Sequence, residues 1–237
     1  IYFIKEKFPE NWESIKYFLN YPQYFGYLLT GEIGADPTYV GCHSYLWNFQ
    51  KHKWSSICEK LNIINKLPAE MKKSWDILGK VKSGIKEKLG FKNDIIVTMG
   101  IHDSNSSLLP FLIKGYKDFI LNSTGTWCVA MKPSVEVKFN RDELGKVVFY
   151  NLSAFNTPVK TSIFMGGLEY EYYSNLIMKI NGKSGYPEFN QELIRKTLND
   201  SDKFIFPGIV KGTGQFPSSI SRIFDKGKVY NIEKIKE

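Results

Sequence analysis

The chain is poor in the residues that most directly signal a function. It has three cysteines, Cys42, Cys58 and Cys128. That is an odd number with no CxxC spacing, which argues against a disulfide framework and against a cysteine-rich zinc site. The three histidines, His43, His52 and His102, are not at metal-ligand spacing either. Cys42 and His43 are neighbours, but no third donor stands close to them in sequence, so no protein metal site is expected. Arginine is scarce: only Arg141, Arg195 and Arg222 stand among 32 basic residues. Readers of phosphates and base edges favour arginine for its bidentate fork. The many lysines are interleaved with acids, as in Lys80–Lys88. The net charge of +8 therefore does not predict a nucleic-acid partner. An interaction protein driven by that charge is a rival reading, and it predicts steeply salt-dependent binding. There is no apolar run long enough to span a bilayer and no signal-peptide pattern. Ile1–Ile4 is interrupted at once by Lys5 and Glu6. A reducing, cytoplasmic setting is the expectation, without a membrane partner and with the oligomeric state open.

What remains is an ordinary globular composition. The 237 residues are 43% hydrophobic, 24% charged and 15% aromatic. Such a chain can build one large domain or two modest ones. It does not begin with Met, and the reading is of a chain entered part-way.

Residues 10–30 read as helical, with Trp12, Ile15, Phe18 and Leu19 at helical spacing. Pro22 interrupts that pattern, and Gly31 is a plausible stop. Residues 33–41 read as a loop, being rich in Gly, Asp and Pro. Short helices are expected at 53–61 and 82–89, a strand at 94–99 and a helix at 104–114. That alternation predicts an α/β arrangement. Beyond Gly115, strands are expected at 117–122, 126–131, 146–152 and 158–164, linked as hairpins. Helices follow at 168–180 and 188–199. Residues 198–237 carry little regular signal. The domain boundary is placed near Gly115.

Chemistry concentrates at two strand ends. Ile95-Ile96-Val97-Thr98-Met99 runs into Gly100-Ile101-His102-Asp103-Ser104. Phe119-Ile120-Leu121 runs into Asn122-Ser123-Thr124-Gly125-Thr126-Trp127. Ligands in α/β sheets gather beyond the carboxyl ends of strands. Asp103 is either a general base or the N-cap of the following helix, where Asp is favoured. His102 either touches a substrate or fills space beside the strand. Ser123–Thr126 is either an anion cradle, with Gly125 allowing close approach, or an ordinary hairpin turn. It is not a Walker A loop, because no Gly-Lys-Ser/Thr follows at the required spacing. Trp127 is expected to pack beside the turn.

Taken together, these stretches resemble the FGGY carbohydrate kinases, and Gly-Ile-His-Asp-Ser followed by Ser-Thr-Gly-Thr-Trp is most similar to the rhamnulokinase and fuculokinase branch. Supporting pieces occur in the family's order. They are Tyr2–Glu6, Tyr21–Tyr24 with Leu28–Glu32, Asp36-Pro37-Thr38, and Leu67-Pro68 with Gly79–Val81. The resemblance implies the ribonuclease H-like, actin-like ATPase fold. Residues 1–114 would be the end of the first, sugar-binding domain, and 115–237 the start of the second, nucleotide-binding domain, with sugar and ATP in a cleft between them. It implies Asp103 as catalytic base, His102, Asp103 and Ser104 as sugar-binding residues, and Thr124, Gly125 and Thr126 near the ATP phosphates, with ATP and Mg²⁺ as cofactors. The substrate implied is a ketose such as rhamnulose, fuculose or xylulose. The family's N-terminal D-x-G-T loop and late adenine-binding segment have no counterpart here. Ile163 and Phe164, before Met165-Gly166-Gly167, are apolar where the family pattern suggests Asn. The chain is thus expected to be an internal part of a longer kinase. The alternative is a non-catalytic or truncated sugar- or nucleotide-binding module.

Overall fold

The computed structural model describes residues 1–199, 202–214 and 217–231. The chain forms two compact units. The first comprises Ile1–Phe119, Lys132–Val137 and Tyr150–Lys160; the second comprises Ile120–Met131, Lys138–Phe149 and Thr161–Glu237.

The first unit opens with α1 (Tyr2–Lys7) and α2 (Pro9–Trp12), then α3 (Tyr21–Thr30) and α4 (Pro37–His43). The helix expected from residue 10 onward ends at Trp12. Pro22 does not interrupt a helix but begins one. It lies in the first turn of α3, where its missing N–H costs nothing. Gly31 stops α3 with φ of 84°, a left-handed conformation that glycine adopts without strain. Residues 33–41, expected as loop, are half helix. Asp36 is the N-cap of α4 and Pro37 its first residue. Residues read as breakers are here the starting signals of a helix.

Next come β1 (Trp47–Asn48), β2 (Lys53–Trp54) and α5 (Ser56–Lys60). A small core gathers beside them. Trp12, Cys58, Ile63 and Leu67 are buried, with Phe18 and Trp54 packed against them. The ammonium groups of Lys5 and Lys66 flank the Trp12 ring at 5.4 and 5.7 Å. β3 (Ile77–Lys80) and β4 (Ile96–Thr98) pair antiparallel, with α6 (Ser83–Lys88) between them in sequence. α7 (Asp103–Ile113) follows β4 after a short loop.

β5 (Leu121–Ser123), β6 (Cys128–Pro133), β7 (Val148–Leu152) and β8 (Pro158–Phe164) form a four-stranded sheet in the order β5-β6-β8-β7. The first two strands are an antiparallel hairpin. The four expected strands are present: β8 has the expected bounds, and the other three start a few residues later than expected. In the second unit, α8 (Gly166–Ile180) and α9 (Gln191–Asn199) match the two expected helices. The featureless tail does not match. β9 (Lys203–Phe206), β10 (Arg222–Asp225) and β11 (Lys228–Asn231) form an antiparallel sheet in the order β11-β10-β9. Residues 200, 201, 215, 216 and 232–237, also read as irregular, lie outside the described residues.

Candidate active site

The first unit builds its polar centre from α4 and the loop before α7. Asp36 is buried, with 2% of its surface exposed. One carboxylate oxygen accepts from the backbone amides of Thr38 at 2.9 Å and Tyr39 at 3.1 Å, the bonds of an N-cap. The same oxygen accepts from the Thr38 hydroxyl. The other oxygen accepts from Gln23 Nε2 of α3 at 2.7 Å. Burial nevertheless pushes the Asp36 carboxyl above its ordinary pKa, against the pull of these donors. The Thr38 oxygen also accepts from the backbone amide of His102, 2.9 Å away. A continuous chain of hydrogen bonds therefore runs from α3 through α4 to the residue preceding α7.

That residue is the N-cap of α7, and Asp103 is the first residue inside the helix. The capping alternative for Asp103 thus falls to His102, which supplies no side-chain cap bond. The Asp103 side chain is 92% exposed. Its Oδ1 accepts from the Ser104 amide at 2.6 Å and lies 3.2 Å from His102 Nδ1. That nitrogen is buried and makes no hydrogen bond within the chain, so the close approach is out of line for one. Ser104 itself is buried, as is Asn105, whose two amide atoms have no partner within the chain.

His102 brings a further cluster together. Its Nε2 is 3.0 Å from Nε2 of His43, and the ring of Tyr39 lies beside both imidazoles. Burial lowers the pKa of His102 from its ordinary value; Asp103 acts in the opposite sense and His43 in the same sense. Cys42 Sγ joins the two imidazoles, and the three ligand atoms lie within 4.8 Å of one another. The Cys42 thiol is pushed up to about 11, by burial first, with a hydrogen bond from Asn151 opposing that. The sequence showed Cys42-His43 without a third donor. The third comes from 59 positions along the chain, a proximity that linear spacing does not reveal.

In the second unit, Thr124–Trp127 is the loop of the β5–β6 hairpin. Thr124, Gly125 and Thr126 are all exposed. The loop is held from behind by the start of α8: the Gly167 amide donates to the Thr126 carbonyl at 3.2 Å. A Cβ at Gly167 would stand 2.6 Å from the Gly125 carbonyl oxygen and 2.7 Å from Thr126 Cα. Only glycine permits this approach. The Ser/Thr/Gly turn and the N-terminus of a 15-residue helix are therefore adjacent, and free N–H groups at a helix start suit an anion. Met165-Gly166-Gly167 leads into α8 behind the turn. Trp127, at the end of the turn, is 42% exposed. A cavity of about 480 Å³ reaches the same hairpin at Asn122 and Cys128. Among the described residues, no helix is long and apolar enough to cross a membrane.

The fold is the actin-like ATPase fold of sugar kinases. The chain is similar to a carbohydrate kinase from Novosphingobium aromaticivorans, with a TM-score of 0.72 and 24% identity, over 94% of this chain and 47% of that one. A glycerol kinase from Plasmodium falciparum, solved with ADP, superposes with a TM-score of 0.67 at 15% identity, over 93% of this chain and 44% of that one. The chain belongs to the FGGY family of carbohydrate kinases. Residues 1–110 match the description "FGGY family of carbohydrate kinases, N-terminal domain", and 116–234 match "Carbohydrate kinase FGGY, C-terminal domain". A rhamnulokinase from Halalkalibacterium halodurans is 32% identical over 128 residues, which are 54% of this chain and 27% of that protein. The chain spans less than half the length of each of these relatives. They include a rhamnulokinase and a glycerol kinase, so they fix the family and not a branch within it.

Proposed function

We propose that this chain serves ATP-dependent phosphorylation of a sugar hydroxyl, with a ketose such as rhamnulose, fuculose or xylulose as acceptor and with a place in the rhamnulokinase and fuculokinase branch. Asp103 is the general base. The observation that carries this is the state of its carboxylate. It is almost fully exposed at the first turn of α7, with one oxygen held by the Ser104 amide and Oδ2 left for an acceptor proton. Oδ2 takes the proton of the sugar hydroxyl as that oxygen attacks the γ-phosphorus of ATP, and ADP departs with the electrons of the broken P–O bond. His102 and Ser104 complete the sugar-side group: the imidazole flanks the carboxylate and the Ser104 amide fixes its rotamer. Residues 1–114 are read as the end of the sugar-binding domain and 115–237 as the start of the nucleotide-binding domain.

Thr124, Gly125 and Thr126 are assigned to the phosphates of ATP. The support is the close seating of the start of α8 against the turn, which only glycine at residue 167 allows, so that the helix amides lie behind it. The cavity beside the hairpin is of the size that small ligands occupy. Mg²⁺ commonly accompanies ATP, but no fitted site for it is found among the described residues. Among the described residues, the cluster of three ligand atoms carries sulfur and nitrogen, whereas Mg²⁺ takes oxygen donors. No step is assigned to Mg²⁺ here.

The reading is tested in the intact kinase by coupled assay of ADP release, with ATP and a panel of rhamnulose, fuculose, xylulose and glycerol. Turnover with one ketose well above glycerol supports it. Turnover with none of the ketoses, in a protein shown to bind ATP, overturns it.

A further inference from the structure

We propose that Cys42, His43 and His102 form a binding site for a thiophilic divalent cation of the zinc class, a function beyond the phosphoryl transfer proposed above, with His102 shared between the two. The three donors come from the end of α4 and the loop before α7, so the site is assembled by the fold. Their ligand atoms already lie within 4.8 Å of one another, and the two Nε2 atoms are 3.0 Å apart. Zinc bonds of about 2.3 Å to sulfur and about 2.0–2.1 Å to nitrogen require ligand atoms roughly this close. Small side-chain rotations close the remainder.

Two neighbouring groups distinguish this cluster from a chance meeting of side chains. Buried Asn151, 2% exposed, hydrogen-bonds to the Cys42 sulfur and so fixes where it points. Behind His102, the carboxylate of Asp103 lies 3.2 Å from Nδ1. When both Nε2 atoms give their lone pairs to a metal, both Nδ1 atoms carry the protons. The His102 Nδ1–H then has a carboxylate 3.2 Å away, and a small turn of the exposed Asp103 side chain brings the two into line as the kind of partner that orients a metal-bound imidazole. His102 Nδ1 is otherwise a buried nitrogen without a hydrogen bond. The charges also balance: one thiolate and one nearby carboxylate offset a divalent ion. Three protein ligands leave a fourth position for water. The sulfur and imidazole donors select zinc over Mg²⁺ or Ca²⁺.

Binding is an exchange that needs no redox partner. The Cys42 S–H proton leaves to solvent, the sulfur lone pair forms the metal–sulfur bond, and water leaves the ion.

The experiment is cobalt and zinc titration of the metal-stripped protein. Expected are one equivalent of Co²⁺ bound, intense visible bands of a four-coordinate ion, and a near-ultraviolet thiolate-to-cobalt band. Cys42→Ser abolishes the thiolate band while Cys128→Ser retains it, and circular dichroism confirms that both fold. His43→Ala and His102→Ala each lower zinc affinity, read by competition with a chromogenic chelator, by about 10–100-fold or more. A Co²⁺ spectrum without a thiolate band in the folded wild-type protein overturns the proposal. So does a thiolate band that survives in Cys42→Ser. Neither outcome depends on kinase activity, so this proposal and the kinase reading fail separately.

Discussion

The backbone amide of His102 donates to the hydroxyl of Thr38, 64 positions earlier, at 2.9 Å. The same hydroxyl donates to Asp36, which also accepts from Gln23. One buried oxygen thus ties the start of α7, and with it the backbone at Asp103, to the N-cap of α4 and, through it, to the first turn of α3. Sites need this kind of support, because a catalytic carboxylate placed by an unsupported loop loses its geometry.

Thr38→Val keeps the shape of the side chain and removes the hydroxyl. It leaves the His102 amide and one Asp36 lone pair without a partner in a buried setting. The expected loss is about 1–3 kcal/mol of stability, seen as a lower urea midpoint. Thr38→Ser, which restores the oxygen, recovers most of it. A Thr38→Val protein with a wild-type midpoint would show that the relay carries no stability.

Asp103→Asn separates chemistry from structure. The side chain is exposed, so stability changes by no more than about 0.5 kcal/mol. If Asp103 is the general base, the variant of the intact kinase shows kcat lowered by about 10²–10⁴-fold with little change in sugar affinity. Wild-type turnover in this variant would remove Asp103 from the mechanism.

How much of this was legible beforehand depended on how local each signal is. The stop at Gly31, the helix after Asp103 and the helices α6, α8 and α9 follow from neighbouring residues, and the sequence reading found them. The start of α4 is also local. It was missed because Asp36-Pro37 was read as a loop signal instead of as an N-cap followed by a first helical residue. The β9–β11 sheet was missed because Gly, Pro and Ser between the strands hide short runs that only cross-strand pairing makes regular. Non-local facts were out of reach. Thr38 meeting His102 and His102 meeting Cys42-His43 depend on folding α4 against the loop before α7, and no spacing rule encodes that. The contact of Gly167 with the hairpin is of the same kind.

Asp94 provides a pH test. It precedes β4 and receives Lys86 Nζ of α6 at 2.8 Å and Lys80 Nζ of β3 at 2.9 Å. The two bonds hold its carboxyl at about 2, below the ordinary 3.8. A folded-state pKa below the unfolded one means that the stabilisation is complete above about 3.8 and is lost as pH falls through about 2. Removing one cation by Lys86→Met raises the Asp94 midpoint toward 3.8, followed by carboxyl chemical shift. Added salt moves the wild-type midpoint in the same direction, because the pair is exposed. A midpoint unaffected by Lys86→Met would mean that this ion pair is not formed in solution.

Gly167→Ala tests the hairpin's support. The new methyl carbon meets backbone on two sides, at the Gly125 carbonyl oxygen and Thr126 Cα, and backbone has no rotamer with which to yield. Either the turn or the start of α8 shifts, at a cost of about 1–3 kcal/mol. If Thr124, Gly125 and Thr126 hold ATP phosphates, nucleotide affinity falls together with stability. Gly84→Ala is the matched control. Gly84 lies inside α6 with open space around its Cβ position, so alanine there gains about 0.5–1 kcal/mol from reduced backbone freedom of the unfolded chain. Calorimetry with ATP on both variants of the intact kinase separates the two effects. A Gly167→Ala protein that is destabilised but binds ATP as the wild type does would leave the turn with a structural role and take the phosphates elsewhere.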